Sequence, residues 1–66
     1  MVVLNREDMS REIRSLRHHA EEVRTVAEDT HDPYSRRSLL LIAASYEVVA
    51  HRLEATAAHL SLAKTG

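Results

Sequence analysis

One interior break governs what this chain can fold into. Its single proline is Pro33 and its single glycine is the terminal Gly66, so no other residue of the helix-stopping kind interrupts the sequence. Proline lacks the amide that a continuing helix needs and disfavours helical geometry in the residue before it, yet it suits the first position of a new helix. Asp32 is accordingly read as an N-cap and Pro33 as the start of a second helix. Two helices joined through about two to four residues must fold back on each other as an antiparallel hairpin. The expected layout is all-α, a single helical-hairpin domain over residues 1–66, with helix one at about 6–30, the turn at 30–32 and helix two at about 33–63.

Apolar spacing supports both helices. Met9, Ile13, Leu16, Ala20, Val23 and Ala27 step by alternating fours and threes, which makes one narrow seam on an otherwise charged helix. Asn5 is placed to cap it by accepting from the Asp8 amide, Glu7 and Asp8 suit the positive end of its dipole, and Leu4 with Met9 has the spacing of a hydrophobic staple. In the second helix the main seam is read as Leu39, Ile42, Tyr46, Val49 and Leu53. Folding about the turn then brings Ala27 near Leu39, Ala20 near Tyr46, Leu16 near Val49 and Ile13 near Leu53, with Glu12 and Arg52 as an ion pair on one rim. Arg17 and Arg24 flank the first seam, their alkyl stems free to cover small residues opposite. Ala43, Ala50 and Ala57, seven residues apart, lie beside the main seam and would let another backbone come close. Lys64 to Gly66 suit a C-terminal end.

The second helix also carries apolar residues that one neighbour cannot cover. Leu41, Ala44, Val48, Ala55 and Leu62 fall well away from the main seam, and the narrow first helix has nothing left to offer them. A chain of 66 residues is marginal as a lone core, and without cysteine it has no disulfide or thiolate metal site to reinforce it. These five residues are therefore the candidate interface of a homodimer in which two hairpins form a four-helix bundle. A larger protein partner is the other occupant they would suit.

Nine basic against ten acidic residues leave a formal net charge of −1, which gives no footprint for nucleic acid or anionic lipid. The apolar start, Met1 to Leu4, is followed at once by Arg6, Glu7 and Asp8 and does not read as a signal peptide. The longest apolar run, Leu39 to Ala44, falls far short of the roughly 20 residues a membrane-spanning helix needs. A cytoplasmic protein without a membrane partner is expected.

Five histidines are the compositional hint of chemistry. His18 with Glu21 and Glu22, and His51 with Glu47 and Glu54, share helical faces as metal ligands can, and a small metal-binding bundle using His18, His19, His51 and His59 is the alternative reading. The order at three-residue spacing, HHAE and HRLE, is the reverse of the Glu-then-His order used in ferritin-like bundles, so no metal or other cofactor is assigned. A further alternative, weak nucleic-acid binding, would use Arg11, Arg14, Arg17 and Arg24. Tyr46 reads as a seam aromatic with its hydroxyl at the edge, and Ser35, Ser38 and Ser45 lack the context of a nucleophile. Arg36 and Arg37 oppose the dipole at the start of helix two, and pairing with Glu28, Asp29 or Asp32 is the simplest account of them. No catalytic constellation is present in this reading, and no enzyme is expected.

The run Arg17, Ala20-Glu21-Glu22-Val23-Arg24, Ala27-Glu28, Asp32-Pro33, Arg36-Arg37, Leu39-Leu40, Ile42-Ala43, Tyr46-Glu47, Ala50, Leu53-Glu54 resembles short uncharacterised proteins common in alphaproteobacteria. These share an RAEE helix, a DP turn and an LLxIAxxYExLA helix, and the likeness covers about two thirds of this chain. It implies a two-helix hairpin of bacterial cytoplasmic origin and brings no activity or ligand. His19 stands where that pattern usually has arginine, and Val49 where it has leucine.

Overall fold

A computed structural model describes the backbone of residues 5–65 and the side chains of residues 5–60. It contains two helices, α1 (Arg6–Asp29) and α2 (Pro33–Thr65), and no strand among the described residues. Both N-termini are closed by side chains. Asn5 Oδ1 accepts from the Asp8 amide at 2.9 Å, and Asp32 Oδ2 accepts from the Ser35 amide at 2.9 Å and from its hydroxyl at 2.8 Å. At the other end of α1 the Thr30 amide donates back to the Ala27 carbonyl at 3.1 Å, and the Thr30 hydroxyl to the Val26 carbonyl at 2.7 Å. The turn thus consumes backbone groups that the helix end would leave bare. Leu4, and with it the staple expected with Met9, lies outside the described residues.

The molecule is a rod of 52 × 19 × 18 Å, one helix pair across. Its length follows from α2, whose 33 residues span roughly 50 Å at about 1.5 Å each.

The helices meet along Met9, Ile13, Leu16, Ala20, Val23 and Ala27 of α1, as the spacing predicts. On α2 the observed seam differs from the expected one. Its buried or half-buried members are Leu39, Ala43, Tyr46, Ala50, Leu53 and Ala57, while Ile42 and Val49 are each 46% exposed. The physical reason is the alanines: Ala20, Ala27 and Ala50 have no exposure and Ala43 only 1%, and side chains this small allow two helices their closest approach. Relative to the expected seam, α2 is turned by about 40° at 100° per residue, which swings Ile42 and Val49 to the edge.

The same rotation resettles the rims. Arg52 is carried outward, and the expected Glu12–Arg52 pair does not form. Glu54 and Glu47 are brought instead to Arg17 and Arg24.

Candidate functional site

The outward side of α2 gathers the residues singled out for association. Leu41 is 63% and Val48 50% exposed, Ala44 and Ala55 are exposed, and the Leu62 side chain lies outside those described. Beside them the rotation adds Ile42 and Val49, which the sequence reading had placed in the inner seam. The signal for this was present in the seven-residue alanine repeat, since the smallest residues allow the closest approach and so claim the contact. Two stripes result, Leu41–Val48–Ala55 and Ile42–Val49, separated by a line of Ser38, Ser45 and Arg52. On this line the Ser45 hydroxyl donates to the Leu41 carbonyl at 3.0 Å, and at its edge the Thr56 hydroxyl donates to the Arg52 carbonyl at 2.9 Å. Hydroxyls satisfied by their own helix cost little to remove from water.

The two rims of the hairpin differ in chemistry. On one, Arg17 Nη2 donates to both Glu54 oxygens at 3.1 Å, and Arg24 Nη2 contacts Glu47 Oε1. The Arg17 hydrogen bond, then its charge, and to a lesser degree the charge of His51, hold the Glu54 carboxyl below its ordinary value, against a small opposing effect of desolvation. Asp32 is likewise lowered, by the Ser35 amide first and the Ser35 hydroxyl second. On the other rim the His19 ring packs on Tyr46 with centroids 5.6 Å apart and planes tilted by 33°. Tyr46 is half-buried there, and this aromatic contact between the helices was not anticipated from spacing within either helix.

The remaining sequence-derived candidates are dispersed. One oxygen of Glu22 serves both neighbouring imidazoles, at 3.3 Å from His18 Nε2 and 3.4 Å from His19 Nδ1. Among the described residues no group of three or more His, Cys, Asp or Glu side chains is arranged to hold a metal ion, and His18, His19, His51 and His59 belong to no such group. Of the four arginines considered for nucleic acid, Arg17 and Arg24 are turned to α2 and Arg11 contacts Asp8 Oδ1 at 3.3 Å. Among the described residues no ion pair joins Arg36 or Arg37 to Glu28, Asp29 or Asp32, and Asp32 Oδ2 accepts from Ser35. No helix of the described residues is long and apolar enough to cross a membrane.

No family model, curated protein or solved structure matches this chain.

Proposed function

We propose that this protein acts by association, as a non-enzymatic helical hairpin that pairs with a second copy of itself through the outward face of α2. One observation carries the reading: the most deeply buried residues between the helices are alanines, while four large aliphatic side chains of α2 remain exposed on its outward side and edge. Among the described residues the buried apolar ones are Met9, Ile13, Ala20, Ala27, Ala43 and Ala50, and no large side chain is fully buried. Meanwhile Leu41, Ile42, Val48 and Val49 stand 46–63% exposed within two turns of one another. Large aliphatic side chains exposed to this extent on a small domain are unfavourable in water and are relieved by a partner surface. With a formal net charge of −1, two copies meet little overall repulsion.

Sedimentation equilibrium from low to high micromolar concentration tests this. The expected result is a mass of twice the 7.5 kDa chain, falling toward the single-chain mass for Val48→Glu, which buries a charge in the proposed contact. A wild-type monomer across the whole range overturns the proposal, as does a Val48→Glu dimer of undiminished strength.

A further inference from the structure

The outward face of α2 has a heptad order that specifies how a second copy would lie on it. This step rests on the self-association reading. Tyr34, Leu41, Val48 and Ala55 recur every seven residues, and Ser38, Ser45, Arg52 and His59 recur every seven residues beside them. Every one of these side chains is exposed in the hairpin, Tyr34 at 81%. Together they form the two rows of a coiled-coil seam, distinct from the seam that α1 fills.

We infer that two copies pair α2 against α2 in antiparallel order, about a two-fold axis near residue 43. In that register the inner layers set a small residue against a larger one: Ser45 faces the other copy's Leu41, and Ser38 faces its Val48. The outermost layer sets Arg52 against the exposed ring of Tyr34 from the other copy, a cation over an aromatic face. Ser45 can enter the contact cheaply because its hydroxyl is already given to the Leu41 carbonyl.

Charge selects the direction. A parallel pair in register would place Arg52 on Arg52 and His59 on His59, with no carboxylate on either row to answer them. Both acidic residues of α2, Glu47 and Glu54, are held on the far rim by Arg24 and Arg17. Antiparallel pairing about residue 43 separates the two Arg52 side chains by roughly 27 Å along the helix at about 1.5 Å per residue, more than two screening lengths at physiological salt. It also ends the overlap near Arg52, so that the last turns of α2 extend past the partner's Asp32–Pro33 turn.

The chain has no cysteine, so single labels can be introduced cleanly. Ala44→Cys lies beside the proposed contact and Ala58→Cys beyond its end, both at exposed positions, and each can carry a nitroxide for distance measurement between copies. Antiparallel pairing predicts a short distance at 44 and, at 58, an axial separation of roughly 45 Å from a rise of about 1.5 Å per residue. A dimer that gives equal distances at both positions overturns the register while leaving self-association standing. A chain that sediments as a monomer overturns both.

Discussion

The two helices differ in what the hairpin leaves them. In α1 the large apolar residues turn inward apart from Val26, and the rest of the helix carries seven acidic and five basic residues, two of which, Arg17 and Arg24, reach across to α2. In α2 the inward row is Leu39, Ala43, Tyr46, Ala50 and Leu53, yet Leu41, Ile42, Val48 and Val49 point away from α1 and only two acidic residues are present, both turned to arginines of α1. A one-faced helix is complete once a single neighbour covers its seam. A two-faced helix keeps a second apolar face in water after that, and it is on this face of α2 that the proposed contact with a second copy would form.

The sharpest way to break this comparison is to put the same side chain at two alanines of the same helix. Ala50 has no exposure and sits between the helices, whereas Ala58 is exposed. Ala50→Leu must force the closely approaching backbones apart, and is expected to cost about 1–3 kcal/mol in urea unfolding at fixed protein concentration. Ala58→Leu is expected to stay within about 0.5 kcal/mol of the parent. Equal effects at both positions would mean that the alanine row does not set the distance between the helices.

Much of this arrangement was legible in the sequence. Pro33 located the turn, Asn5 and Asp32 located the caps, and the four-three stepping from Met9 to Ala27 gave the α1 seam residue by residue. The rotation of α2 was not, because its apolar residues surround it and periodicity then offers more than one stripe as the seam. Hydrophobicity favoured Ile42 and Val49, but close approach favoured Ala43 and Ala50, and packing decided. The same ambiguity hid the partners of Arg17 and Arg24 and misplaced Arg52. Of the association candidates, Leu41, Ala44, Val48 and Ala55 stand exposed where they were expected, and Ile42 and Val49 join them only once the rotation is known.

A smaller effect comes from the caps, which set where each helix begins whichever faces it presents. Asn5 supports α1 through one bond to the Asp8 amide, so Asn5→Ala is expected to lower stability by about 1 kcal/mol. The outward face of α2 has no part in that bond, and the variant should unfold more easily while retaining its association at temperatures well below its midpoint. A loss of association equal to that of Val48→Glu would tie the two helices more closely than their faces suggest.

The smallest expected effect concerns the rim that joins the helices. Glu54 is exposed, so its pair with Arg17 contributes little, but the contribution has a definite sign with pH. Because the folded state holds this carboxyl below its ordinary value, the stabilisation is present above the ordinary carboxylate range and is lost as pH falls through the lowered folded value. Glu54→Gln removes the titrating group while keeping its shape. Its urea midpoint should therefore lie slightly below that of the parent at pH 7 and converge with it as the solution is acidified below about pH 4, the ordinary range for carboxyl groups. Added salt at pH 7 should narrow the same gap. A gap that is unchanged by acid and by salt would show that Glu54 supports the hairpin through packing of its stem and not through its charge.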